Sequence, residues 1–224
     1  MPLNIKTTTN INEPAQLIAT SILEQIKLGK KVLFFVTGGS SVPICVRVSE
    51  IIREHPHSSL SVMLTDERYG PIDHVDSNWY KLIQMGFSLP QAKLIPTLTG
   101  DNHIITTNKF EATLKSELEN AEFKIGLFGI GIDGHTAGIL PDTDAVNFNN
   151  FACGYDTSIF SRITITPKTI EKLDEAVVWG QGEAKWHVLK DLEQEIDIKK
   201  QPAQILKKVP LLTIFTDYVK EQNI

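Results

Sequence analysis

The sequence predicts an α/β fold built on a mostly parallel, twisted sheet flanked by helices. Three observations predict it. Short β-branched and aromatic runs such as KVLFFV (31–36) lack polar alternation, so they fit strands buried on both faces. Segments with apolar residues at helical spacing separate these runs, which argues for βαβ units around a parallel sheet. Several runs end in glycines and small polar residues, at the strand ends where open α/β sheets build their sites.

The elements follow in order. Residues 14–28 carry Ile18, Ile22 and Ile26 at helical spacing, with Asn12 as the expected cap and Gly29 as the stop. The KVLFFV strand runs into Thr37-Gly38-Gly39-Ser40-Ser41. Pro43 then suits a first helical position, and Ile44, Val48, Ile51 and Ile52 mark the helix. LSVMLTDE (60–67) repeats the theme of a strand followed by a polar turn. Residues 108–121 are expected to be helical: Asn108 and Glu111 resemble a capping box, and Phe110, Leu114 and Leu118 share a face. Residues 125–141, IGLFGIGIDGHTAGILP, read as a buried strand emptying into a tight turn that opens a helix. A long loop is expected over 142–161. ITIT (163–166), AVVWG (176–180) and LLTIF (211–215) are further strands, with helices after Pro167 and from Gly182 to Leu192. No repeat, low-complexity stretch or linker interrupts the chain, so 1–224 is expected to form a single domain.

Composition narrows the function classes. The 224 residues are 42% hydrophobic and 22% charged, which is ordinary globular composition. The net charge of −5 argues against a duplex nucleic-acid partner, which would need a basic face, but permits a small cationic pocket for an anionic metabolite. Cys45 and Cys153 stand in unrelated contexts without zinc spacing, as free thiols of a reducing cytosol do. The first residues, MPLNIKTTTNINEP, lack the apolar core of a signal peptide. No apolar run approaches the roughly 20 residues that span a bilayer. A soluble cytoplasmic protein, with no membrane partner, is expected.

Four constellations carry chemistry. Gly38-Gly39-Ser40-Ser41 ahead of a helix offers backbone N–H groups and hydroxyls to a phosphate; it also fits a plain capped turn, and it is neither a Walker sequence nor GxGxxG. Thr65-Asp66-Glu67-Arg68 is followed by Pro71, His74, Ser77 and Asn78. A solvated ion pair would explain the charges alone, but not the density of polar groups. Asp133-Gly134-His135-Thr136 places an acid, an imidazole and a hydroxyl at a strand end. A helix opening there would disfavour the imidazolium and keep His135 neutral, as a general base requires; the bland alternative is a capped turn with an idle histidine. Arg162 begins a strand, and Lys185 lies in the first turn of a helix whose apolar side is Ala184, Val188, Leu189 and Leu192. Lys185 is then either a surface lysine or one that reaches back to the strand-end site.

In chain order these segments read GGSS, DERYGPIDHVDSN, GIDGHTAGILP, RITIT and GQGEAKW. Over about residues 30–215 they resemble the 6-phosphogluconolactonase family, within the wider group that includes glucosamine-6-phosphate deaminase and ribose-5-phosphate isomerase. The resemblance implies the modified Rossmann-like, three-layer architecture of those sugar-phosphate enzymes. It implies hydrolysis of 6-phospho-D-glucono-1,5-lactone to 6-phospho-D-gluconate, in the oxidative pentose phosphate pathway. His135 would be the general base, or the group that later protonates the leaving ring oxygen. Asp133 would orient it or shape the turn. Arg68 would stabilise charge near the carbonyl or bind sugar hydroxyls, with Asp66 and His74 organising that wall. Gly38, Gly39, Ser40 and Ser41 would hold the phosphate, with Arg162 and Lys185 closing over it. The partner is a small-molecule sugar phosphate, with no cofactor and no metal, and the protein is a monomer or small homo-oligomer. No GxSxG elbow is visible, so no covalent intermediate is expected.

Some positions depart from the family pattern. Ala184 precedes Lys185 instead of following it, Gly70 replaces a bulkier apolar residue, and Gly138 stands where serine is common. The deaminases place isoleucine after the histidine, glutamate before the closing proline and tyrosine after Asp-Glu. Here Thr136, Leu140 and Arg68 hold those places, which favours the lactonase reading over deamination. A third reading, a sugar-phosphate sensor, normally brings a DNA-binding segment, and this sequence shows none.

Overall fold

The computed structural model describes residues 3–147 and 149–219. The chain runs through β1 (Asn4–Thr7), α1 (Asn12–Lys27), β2 (Val32–Val36), α2 (Val42–Ile52), β3 (Leu60–Leu64) and β4 (Asp66–Arg68). It continues through α3 (Asn78–Gln84), β5 (Lys93–Ile95), α4 (His103–Asn120) and β6 (Phe123–Gly129). The last part holds β7 (Ala152–Asp156), β8 (Ser161–Ile165), α5 (Pro167–Ile170), β9 (Glu175–Gly180), α6 (Trp186–Asp191) and β10 (Leu211–Thr216). Among the described residues no helix is long and apolar enough to cross a membrane.

Seven strands form one parallel sheet in the order β1-β10-β9-β6-β2-β3-β5. Because successive side chains point to opposite faces, each strand feeds two cores. Val32, Phe34 and Val36 pack with Ile18 and Ile22 of α1 and Val48 of α2. Leu33 and Phe35 pack on the other face with Leu114 of α4, Ile170 of α5 and Val188 of α6. The result is the three-layer architecture expected. Phe34, Phe35, Phe128 and Phe215 are fully buried. Each such side chain stabilises the fold by roughly 1.5–3 kcal/mol.

Strands β4, β8 and β7 form a second, antiparallel sheet. It occupies part of the 142–161 segment read as a long loop; within that segment Phe148 lies outside the described residues. Ala152, Cys153 and Ile165 bury against the α4 side of the main sheet, so tertiary packing makes a strand of a stretch that has little β signal of its own.

Other boundaries also differ from expectation. Asn12 is the first residue of α1, not its cap; Asn10 Oδ1 accepts from the Asn12 N–H at 3.1 Å instead. Helix α4 starts at His103, where Asn102 Oδ1 accepts from Ile105 N at 2.9 Å, so Asn108 lies in mid-helix and caps nothing. Its first turn exposes Ile104 and Ile105, so the apolar periodicity begins only later. No helix opens at 131–136.

The strand order fixes where a site can form. From β2 the chain progresses to β3 and β5 on one side, whereas β6 leads to β9 and β10 on the other. The carboxyl ends of the adjacent strands β2 and β6 therefore open a crevice at the topological switch point.

Candidate active site

At that crevice lies a cavity of about 330 Å³, lined by residues from five segments of the chain. Gly38, Gly39, Ser40 and Ser41 line it after β2. Gly38 packs against the Asn78 side chain so closely that a Cβ there would lie 2.2 Å from Asn78 Oδ1 and would displace that amide. Residues Gly39–Ser41 make a tight 3-10 turn into α2. Ser40 is exposed, whereas Ser41 is buried.

The β4 wall shows why three adjacent charges occur together. On a strand, Asp66 and Arg68 share one face, which is the cavity face, and Glu67 points the other way. Glu67 is fully buried and accepts from Asn78 N at 2.6 Å, Arg68 N at 2.8 Å, Ser77 Oγ at 2.9 Å and Trp79 N at 3.0 Å. Burial pushes its carboxyl above the usual range, and these four donors work against that rise. Glu67 thus clamps β4 to the start of α3, a role the sequence reading did not assign. Asn78, also unassigned, lines the cavity and donates from Nδ2 to Asp66 O at 2.9 Å.

His74 is not brought into the cavity lining. Its Nε2 lies 2.9 Å from Arg68 O, and its ring fills the space beside Gly70, where a Cβ would come within 2.9 Å of the imidazole. It supports the wall from behind.

Arg68 and Arg162 stand opposite each other on β4 and β8, and Arg162 Nη1 lies 3.5 Å from Asp66 Oδ2. Lys185 lines the same cavity from a 3-10 turn (Glu183–Lys185) ahead of α6, rather than from the α-helix expected there; Ala184 is exposed, not part of its apolar side. Burial lowers the Lys185 pKa, and the Asp217 carboxylate partly restores it. Three cationic side chains against one carboxylate suit an anion. Among the described residues, seven buried side-chain polar atoms lack a hydrogen-bond partner. Four of them, Ser41 Oγ, Arg68 Nε, Asn78 Oδ1 and Arg162 Nε, belong to residues of this cavity. Leaving such groups unmatched costs about 1–3 kcal/mol each, so their concentration here marks a place built for polar contacts.

The turn after β6 is closed on itself. Gly131 N donates to His135 O at 2.9 Å, and Gly134 N to Gly131 O at 3.1 Å. A Cβ at Gly131 would lie 2.1 Å from His135 Nδ1, so any other residue there would push the imidazole and the Asp133 carboxylate out of place. With no helix here, the dipole argument for a neutral imidazole lapses. A different device takes its place: Asp133 Oδ1 accepts the His135 main-chain N–H at 3.2 Å and faces the ring Nδ1 at 2.6 Å. A carboxylate can only accept, so the neutral ring carries its proton on Nδ1 and its lone pair on Nε2. Burial raises the Asp133 pKa, but the facing His135 and its hydrogen bonds outweigh it, and the carboxyl sits below its usual range. His135 lines the cavity; Asp133 stands behind it.

Ala137 follows in the left-handed region, with φ 51°. That conformation costs an L-residue roughly 1–2 kcal/mol. The neighbours hold it there: Thr136 Oγ1 donates to Gly129 O at 2.9 Å, Gly138 N donates to Thr164 Oγ1 at 3.0 Å, and the Tyr155 hydroxyl donates to Gly138 O.

Residues 6–213 match the family model described as glucosamine-6-phosphate isomerases/6-phosphogluconolactonase. The chain belongs to this family. A 6-phosphogluconolactonase of Thermotoga maritima is 29% identical over 155 residues, covering 64% of this chain and 67% of that protein. One from Haemophilus influenzae is 26% identical over 184 residues, 79% of each chain. Among solved structures, a 6-phosphogluconolactonase from Shewanella baltica superposes with a TM-score of 0.81 at 18% identity, covering 96% of this chain and 98% of that one.

Within the glucosamine-6-phosphate isomerase/6-phosphogluconolactonase family, this chain's departures have local structural reasons. At Gly138 a Cβ would meet Thr164 Cβ at 2.8 Å and Asp66 Cβ at 2.9 Å, so a serine would need the β4–β8 pair to shift. Gly70 and His74 fit each other, one giving the room the other fills.

Proposed function

We propose that this protein hydrolyses 6-phospho-D-glucono-1,5-lactone to 6-phospho-D-gluconate, in the oxidative pentose phosphate pathway, with the chain acting as one lactonase domain. The observation that carries this reading is an imidazole of fixed tautomer lining the same cavity as Arg68, Arg162, Lys185 and the Gly38–Ser41 loop. The named relatives, themselves 6-phosphogluconolactonases, support it.

In this reading the phosphate rests on the Gly38–Ser41 loop beneath Arg162 and Lys185, and the lactone carbonyl faces His135. Nε2 takes a proton from water as its oxygen bonds to the carbonyl carbon, and the carbonyl π pair moves to oxygen. Arg68 stabilises that oxyanion, and Asp133 stabilises the imidazolium. As the carbonyl re-forms, the bond to the ring oxygen breaks. The leaving oxygen takes the proton back from Nε2, and the acid product ionises. Anchoring the phosphate end contributes positioning, whose upper range is ~7–11 kcal/mol. Asp66 keeps Arg162 in place. The step needs no metal, because guanidinium and imidazolium groups answer the developing charge. Free buried thiols at Cys45 and Cys153 suit a cytoplasmic setting. The enzyme works as a monomer or small homo-oligomer.

The test compares two reactions. Freshly generated lactone should be hydrolysed well above its spontaneous rate, also after dialysis against EDTA, and no ammonia should appear from glucosamine 6-phosphate. Ammonia release would make the protein a deaminase, and tight sugar-phosphate binding without either reaction would make it a sensor.

A further inference from the structure

Arg68 and Arg162 occupy directly paired positions on β4 and β8. Like charges so placed repel and weaken a sheet. Asp66 answers Arg162 at 3.5 Å, but Arg68 has no ion pair among the described residues and donates from Nη1 to Asp76 O at 3.1 Å. What the two guanidiniums share is an aromatic ring. The Phe160 centroid lies 5.2 Å from the guanidinium carbon of Arg68 and 5.8 Å from that of Arg162. Both distances fall within reach of the attraction between a cation and a ring quadrupole.

The ring is not at a loose tip. Thr157 Oγ1 accepts from Phe160 N at 3.0 Å and donates to Phe160 O at 2.8 Å, and Thr157 N donates to the same carbonyl at 2.9 Å. Next to it, Ser161 O accepts from Tyr69 N at 2.8 Å, which ties the hairpin to the end of β4.

We propose that Phe160 is a positioning residue for anion binding: its ring holds the guanidiniums of Arg68 and Arg162 side by side at the cavity before the sugar phosphate arrives. This deepens the lactonase reading and rests on it. Without the ring, the two mutually repelling guanidiniums would be held only by Asp66 and the Asp76 carbonyl, and binding would have to order them further. The ring takes no part in proton transfer at His135; through Arg162 it acts on phosphate affinity, and through Arg68 on the oxyanion as well.

The full chain is compared with F160L, F160W and F160Y by calorimetry with inorganic phosphate and by steady-state kinetics on the lactone. Leucine keeps apolar bulk and removes the quadrupole; tryptophan and tyrosine keep it. F160L should weaken phosphate binding, raise KM by about fivefold to tenfold and lower kcat by about twofold to fivefold as Arg68 loses its place, and the aromatic variants should stay within about twofold of wild type. F160L indistinguishable from wild type, or an equal loss in all three variants, would overturn the proposal, as would a wild type that binds no phosphate. Phosphate binding that responds to F160L in a wild type unable to hydrolyse lactone would instead sink the lactonase reading and leave this one standing.

Discussion

His135 and Asp133 work as a unit, and the unit is defined by one 2.6 Å contact. Its chemical content is a tautomer: the carboxylate holds the proton on Nδ1 and leaves Nε2 as the base. Asparagine at position 133 can donate as well as accept, so Asp133→Asn permits the wrong tautomer. The expected outcome is a kcat at least tenfold lower with KM within about twofold, because the phosphate contacts are untouched. An unchanged kcat would reduce Asp133 to a turn former. At this scale the sequence was readable where chemistry is local. Asp133 and His135 are two residues apart, and the acid–imidazole pairing needs no tertiary contact. Glu67 was not readable: in a run of three charged residues, only the strand's alternation says that the middle one turns inward, and only the fold supplies Asn78 and Trp79 as its donors.

Among the elements, β9 carries an unused titratable group. Glu175 begins the strand, pairs with Ile125 and Leu211, and is only 2% exposed. Burial pushes its carboxyl up, a hydrogen bond from Ser21 of α1 opposes this, and the neighbouring Glu24 charge adds to the rise. An acid whose folded pKa is raised supports the fold fully below its unfolded value of about 4.3, and that support is lost as pH rises through the folded value. Glu175→Gln removes the charge and with it the pH dependence. Relative to wild type, the variant should therefore gain melting temperature between pH 4 and pH 8. A gain of about 2–4 °C corresponds to 1 kcal/mol in a chain of this size. A difference that stays constant across that range would show that Glu175 titrates as it does in the unfolded chain. The elements most legible in the sequence were those with continuous apolar runs, β2, β6, β9 and β10. Strand β7 was hidden because Ala152, Cys153 and Gly154 carry no β signal, and the helix expected after β6 failed because the glycine-rich turn closes on its own backbone.

The molecule as a whole owes its site to strand order. Five sequence segments carried the site residues, but nothing local in them says that β2 lies beside β6, or that β8 crosses to pair with β4. The resemblance to known lactonases implied only the three-layer, mostly parallel architecture; the strand order and the β4–β8 pairing come from the structure. The structure's own account is that the parallel sheet diverges between β2 and β6, and the antiparallel sheet folds over that opening with Arg68 and Arg162. In the proposed reading Arg162, Lys185 and the Gly38–Ser41 loop hold the phosphate while the proton moves through His135, so binding and proton transfer are separable. His135→Ala tests that division most directly. Measured on freshly generated lactone, its kcat should fall by about 10²-fold or more, while calorimetry shows 6-phosphogluconate binding within about twofold of wild type. Undiminished turnover in that variant would contradict the account.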